Sequence, residues 1–184
     1  MIWFTSDWHI GHDKNFIWEA RGFKDVVEHD IEILKRCNNF VKPEDELWIL
    51  GDLALGQDES EWDRIFYNIN CKNVHFISGN HDTNRKECIY NEKYCFRFHG
   101  YAEVIRISKR IRLYLSHYPT IVSNFDDDTR IPLINLYGHT HQKDNFYNNN
   151  PYMYHVGLDS HNCYPVSIEQ IKFDIETKRR ILSL

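Results

Sequence analysis

Five short apolar runs in this chain, "FTSDWH", "WILGD", "FISGNHD", "LYLSH" and "LYGHTH", end on oxygen or imidazole side chains. In order these are Asp7 and His9, then Asp52, then Asn80 with His81 and Asp82, then His117, then His139 with His141. Carboxylate, amide oxygen and imidazole without thiolate form a donor set that suits Mn, Fe, Co, Ni or Zn better than Mg or Ca, which prefer shells made entirely of oxygen. One catalytic ion needs only three or four protein ligands, so the set over-supplies a single metal. Two divalent transition-metal ions fit it, and two-metal sites of this kind share a carboxylate. Asp52 stands alone at its strand end and is the natural bridge. Asp7 and His9, like His139 and His141, stand two apart, a spacing that puts both side chains on one side of an extended segment. The last pair then sends one imidazole towards each ion.

Taken singly, each motif has a plainer explanation, because Gly, Asn and Asp dominate ordinary turns. Five turns in succession have no such reason to collect histidines.

The elements that must position these groups read as short β-rich runs bounded by Gly, Asn, Asp, Pro or Ser: "MIWFTS", "ELWILG", "NVHFIS", "AEVIRIS", "RIRLYLS", "LINLYG", "YMYHVG" and "QIKFDI". Between the first two, Val27, Ile31, Leu34 and Phe40 predict an amphipathic helix of about 15 residues. Trp62, Ile65, Phe66 and Ile69 predict a second helix, started by the acidic stretch Asp58 to Glu61. The first half therefore reads βαβαβ. The second half reads as more antiparallel, with "AEVIRISKRIRLYLS" a hairpin. Mixed strands and helices of this kind suggest a sheet sandwich with helices outside. The candidate residues all lie past strand carboxyl ends, where open α/β sheets form their crevice.

At 184 residues the chain is expected to be one domain, 1–184, large enough to do without disulfides. Its five cysteines are scattered and never in a CxxC spacing, so neither a disulfide framework nor a thiolate zinc site is indicated, and reduced, mostly structural thiols are expected. No apolar run reaches the length of a membrane span and no basic leader precedes one, so a cytoplasmic protein is expected. A net charge of −5 without a large basic cluster makes no strong case for long nucleic acid as a partner, while leaving a small nucleotide open.

Asp7-x-His9, Gly51-Asp52, Gly79-Asn80-His81-Asp82, His117 and Gly138-His139-x-His141 together resemble the motif set of the calcineurin-like metallophosphoesterases. The wider frame, from "WFTSDWHIGHDKNFI" to "VGLDSHNCYPVSIEQI", is similar to small bacterial and phage members and covers essentially the whole chain. The resemblance implies an α/β fold, a four-layer αββα sandwich of two mixed β-sheets flanked by helices. It implies one ion on Asp7, His9, Asp52 and His141, and another on Asp52, Asn80, His117 and His139. It also implies attack on a small phosphate ester by a hydroxide bridging the ions. His81 would protonate the leaving oxygen, and Asp82 would orient or charge-stabilise His81. A phosphodiester, for example of nucleotide type, is slightly preferred; the alternatives are a nucleotide or protein phosphomonoesterase, or a non-catalytic protein-binding scaffold of the same fold. The scaffold reading is disfavoured because His81 and every ligand are present.

His12 and Asn15 are further candidates for substrate contact, weighed against capping of the next helix, and Arg21 is a candidate phosphate clamp, weighed against a helix-end arginine. Trp8 could wall the site. His155, Asp159 and His161 sit in a late loop that could rim the pocket, weighed against turn structure, which explains Gly157 to Ser160 adequately, and His29, His75 and His99 read as surface or core.

Overall fold

The protein is described by a computed structural model over residues 1–56, 58–109, 111–122 and 131–182. Strand β1 (Ile2–Thr5) leads through a single helical turn, α1 (Asn15–Trp18), and the long α2 (Val26–Phe40) to β2 (Glu46–Leu50). Helix α3 (Glu59–Phe66), capped by the Asp58 carboxylate on the Ser60 N–H, leads to β3 (Asn73–Ile77). Then α4 (Asn84–Glu92) leads to the short β4 (Arg97–Phe98). The hairpin β5 (Ala102–Ser108) and β6 (Ile111–Ser116) follows, and after it β7 (Leu133–Tyr137), β8 (Met153–His155), β9 (Val166–Ser167) and α5 (Ile168–Leu182).

Two mixed sheets result, flanked by helices. The first has the order β4-β3-β2-β1-β9, parallel except for β9, and the second the order β5-β6-β7-β8. Strand alternation divides the interior between two cores. Leu47, Ile49, Val74 and Phe76 face the helices with Ile33, Cys37, Trp62 and Phe66. Trp48, Leu50 and Ile77 face the second sheet and meet Leu113, Leu115, Ile134 and Leu136.

The two predicted helices form where expected, but α2 turns a different face inward. Val27, Ile31 and Phe40 are 46–48% exposed, while His29, Asp30, Ile33 and Cys37 are buried. The polar pair is tolerated inside because it is bonded: His29 Nδ1 lies 2.8 Å from Asp30 Oδ1, and Asp30 Oδ2 accepts the Gly11 N–H at 2.9 Å.

Two expectations for the second half are corrected. "QIKFDI" is not a strand but lies within α5: Ile168, Ile171 and Ile175 at helical spacing join the core between the sheets, and Phe173, which an alternating pattern would bury beside them, is 65% exposed. Only β5 and β6 of the second sheet are antiparallel; β6, β7 and β8 run parallel. That parallel run points the ends of β6 and β7, with His117 and His139 just beyond them, in the same direction. Cys37, Cys71 and Cys163 are buried and free, and no helix among the described residues is long and apolar enough to cross a membrane.

Candidate metal centre

The loops after β1, β2, β3, β6 and β7 meet at one end of the sandwich. The exit from β1 is stitched to that from β2, with the Asp7 N–H on Gly51 O and the His9 N–H on Asp52 O, each at 3.0 Å. Asp7, His9, Asp52, His139 and His141 all have positive φ, between 48° and 67°. An L-residue pays roughly 1–2 kcal/mol for that conformation, so the surrounding structure must hold it. The expectation of extended Asp-x-His and His-x-His segments is thereby corrected. Both members of each pair reach the crevice because the backbone curls left-handed there, not because a strand alternates, and Thr140 turns aside to Gln142.

Two groups of donor atoms converge, Asp7 with His9 and His141, and Asp7 with Asp52 and His117, each group within 4.8 Å. His9 Nε2 and His141 Nε2 face each other at 3.2 Å. Asn80 Oδ1 is 2.9 Å from His117 Nε2 and 2.9 Å from His139 Nδ1. Asp52 Oδ2 sits between the two sides, 3.9 Å from His9 Nε2 and 3.5 Å from His117 Nε2.

The electrostatics ask for positive charge here. Burial pushes the Asp7 carboxyl up. Burial lowers His117, but Asp52 and Asp7 outweigh it and raise the imidazole to about 9. Burial likewise raises Asp52, and His117 outweighs it to hold the carboxyl at about 2. Two buried carboxylates with imidazole and amide donors around them fit divalent cations.

Other expected residues fall in different places. The His81 side chain is 47% exposed, with Nε2 3.9 Å from Asp52 Oδ2, and its N–H donates to Asp52 Oδ1 at 2.9 Å. The hydrogen bonds of the Asp82 carboxylate go elsewhere than to that ring. That carboxylate accepts the N–H groups of Asp52 at 2.7 Å and Gly79 at 2.9 Å, so it ties the β2 and β3 loops together, and burial pushes it up to about 6. His12 packs on His9 with ring centres 5.5 Å apart, beside the crevice. Asn15 opens α1 and bonds Glu19 at 3.3 Å, away from the donor groups. Trp8 is 1% exposed in the helix-side core, its indole N–H on Thr5, and walls no open site. Arg21 is no open phosphate clamp. Its guanidinium is buried and holds both Asp159 oxygens, at 3.1 and 2.9 Å, and the Asp7 carbonyl at 2.8 Å.

Asp159, read from the sequence only as a residue that could rim the pocket, takes a more specific place. Its Oδ2 lies 2.8 Å from His141 Nδ1, which leaves His141 Nε2 to face the crevice, a carboxylate support of the kind that orients metal-binding imidazoles. The chain of contacts continues from Asp159 through Arg21 to His29 Nε2 at 2.9 Å, and on to Asp30 and the Gly11 N–H. It thus closes on the loop that carries His9. The only signal in the sequence is an acid in a loop after the last parallel strand. Lys86 is an omission: from a polar helix it donates to the His81 carbonyl at 2.9 Å and the Ala54 carbonyl at 2.6 Å.

A two-sheet sandwich whose strand ends gather buried carboxylates and imidazoles defines an α/β protein with a candidate metal site. Residues 1–160 match the family model described as calcineurin-like phosphoesterase, and the chain belongs to that family. It is 30% identical over 199 aligned residues to the Gene 66 protein of Mycobacterium phage D29, covering 95% of this chain and 97% of the relative. It is also 30% identical over 162 residues to the Gene 66 protein of Mycobacterium phage L5, covering 76% of each. Among solved structures, a protein of unknown function from Aquifex aeolicus superposes with a TM-score of 0.67 at 23% identity, over 94% of this chain and 98% of that one, a likeness of fold.

Proposed function

We propose that the chain hydrolyses a small phosphate ester, with phosphodiesters slightly preferred, using two divalent transition-metal ions. The observation that carries this reading is the position of Asp52 Oδ2, a single carboxylate oxygen facing His9 on one side and His117 on the other. Asp7, His9, Asp52 and His141 would hold one ion, and Asp52, Asn80, His117 and His139 the other. Asp7 lies within reach of both donor groups. When bound, such ions would polarise phosphoryl oxygens and lower the pKa of water enough for attack at neutral pH. The protein's own part is to fix these donors and to supply a proton. His81 is half in solvent and outside both donor groups, which leaves its ring free to protonate the departing oxygen. Asp82 and Lys86 hold the backbone on which His81 stands. Scattered free thiols support a reduced, cytoplasmic setting.

The test is to load the protein with Mn, Ni or Zn and assay an aryl phosphodiester against the matching monoester. Hydrolysis of both, the diester faster, is expected; no hydrolysis with any of the metals overturns the reading. Asp52→Asn should lose metal from both positions, and retention of two full equivalents would overturn the shared carboxylate.

A further inference from the structure

Two aromatic side chains stand in solvent beside the donor groups, one on each side. Phe16 is 66% exposed and packs on His12, with ring centres 5.6 Å apart and planes at 89°, and His12 in turn packs on His9. Tyr118 is 51% exposed, its ring 5.4 Å from His117 and 4.6 Å from His139. One ring thus flanks the Asp7–His9–His141 group and the other flanks His117 and His139.

Neither ring hangs on slack chain. The Tyr118 carbonyl accepts the hydroxyls of Ser116 at 2.8 Å and Thr120 at 3.1 Å, and the Thr120 N–H is held at 2.7 Å by Asn135, which is buried. Phe16 sits on the α1 turn, closed by the Glu19 N–H on Asn15 O at 2.8 Å and anchored on its other side by buried Ile17. A cavity of about 600 Å³ runs from His9, His81 and His141 to Phe16, Ile17 and Leu55. Lys143 is the one lysine or arginine among the described residues that line it.

We infer that Phe16 and Tyr118 are stacking platforms on either side of the reacting phosphate, and that the substrate is a short phosphodiester carrying a flat aromatic ring, such as a nucleobase, on each arm. The inference rests on the phosphoesterase reading and names the substrate class for the same site. The perpendicular Phe16 and His12 rings make a corner that a flat ring fills with both face and edge. Phe16 shares its cavity with His81, so the leaving arm lies on Phe16 and the retained arm on Tyr118. A net charge of −5 and a lone lysine in the cavity favour a substrate of dinucleotide size over a long strand.

Titration calorimetry with a dinucleoside monophosphate, on metal-loaded protein carrying His81→Ala throughout to slow turnover, tests the platforms by binding. Phe16→Ala and Tyr118→Ala should each weaken Kd on the order of tenfold, the effect of losing one stacked base, while Phe16→Tyr and Tyr118→Phe stay near the value of the His81→Ala parent. An unchanged Kd in either alanine variant, or equally tight binding of a dialkyl phosphate of similar size, overturns the inference. A second measurement compares bis(p-nitrophenyl) phosphate with methyl p-nitrophenyl phosphate, which share a leaving group and differ in the retained arm. Tyr118→Ala should cut the preference in kcat/KM for the first about tenfold, and an unchanged preference overturns the retained-arm assignment. Ring-dependent binding without hydrolysis of any ester would overturn the phosphoesterase reading and leave the platforms standing.

Discussion

His81 and His155 show how placement gives the same imidazole different work. His81 is half in solvent. If it protonates the leaving oxygen as proposed, His81→Ala should keep the metals and lower kcat by roughly 10²–10⁴ on an alkyl ester, with a much smaller loss on a nitrophenyl ester that departs unaided. Unchanged turnover on the alkyl ester would rule the role out. His155 is fully buried, with Nδ1 2.8 Å from Ser160 Oγ and Nε2 unpartnered. Burial, helped by His161 nearby, lowers it to about 3 from its ordinary 6.5. A lowered folded value means that the unfolded chain binds the extra proton. His155 therefore contributes full stability above pH about 6.5, and that contribution drains away as pH falls towards 3, by up to about 1.4 kcal/mol per pH unit. His155→Asn keeps a polar atom near the Nδ1 position and removes the titration. Urea unfolding between pH 7 and 4.5 should show a shallower loss in this variant, and parallel curves for variant and wild type would contradict the assignment.

At the scale of elements, what was legible in the chain was whatever repeats locally. Apolar runs ending in Asp, Asn or His marked the strand ends, and the structure brings Asp7, His9, Asp52, Asn80, His117, His139 and His141 together from five of them. What was not legible depends on partners distant in sequence. The inward face of α2 is set by Arg21 and the Gly11 loop, and Asp159 matters because of His141 and Arg21. The strand assigned to "QIKFDI" failed because Ile171, Phe173 and Ile175 satisfy a period of two as well as part of a helical face. The left-handed curl at His139 and His141 leaves no trace in residue type, since Gly138 is the only glycine there. Gly138 itself is needed for close approach: a Cβ would run into Ser6 Oγ and lie 2.5 Å from Asp7 Oδ2. Gly138→Ala should therefore displace the loop carrying both histidines, lose bound metal and destabilise by about 1–3 kcal/mol. Gly100→Ala is the control, because its φ of +77° brings strain but no atom lies within 4 Å of the added carbon. Metal content that stays full in Gly138→Ala, or falls equally in both variants, would show that the close approach is not what matters.

For the molecule as a whole, the site is where the fold is least at ease with itself. Asp7 and Asp52 are 0% and 2% exposed, five of the candidate donors sit in left-handed backbone, and the two carboxylates facing His117 raise its imidazole against the effect of burial. Every one of these loops joins the two sheets through the site, since the donors come from β1, β2 and β3 on one side and β6 and β7 on the other. A cation bound there would neutralise the carboxylates and hold the two sheets together at that end, so metal binding should stabilise the whole fold and not the loops alone. A ligand at a hundred times its Kd adds about 2.7 kcal/mol per site, and for a chain of 184 residues each kcal/mol corresponds to roughly 2–4 °C in Tm. Calorimetric melts with Mn, Ni or Zn at that excess should then lie about 5–11 °C above melts in chelator for one filled site, and higher for two. The transition should remain single, because donors from both sheets report on the same event. A Tm indifferent to chelator and to all three metals, or a separate low-temperature transition that alone responds, would mean that the strand ends do not share one cation-binding site.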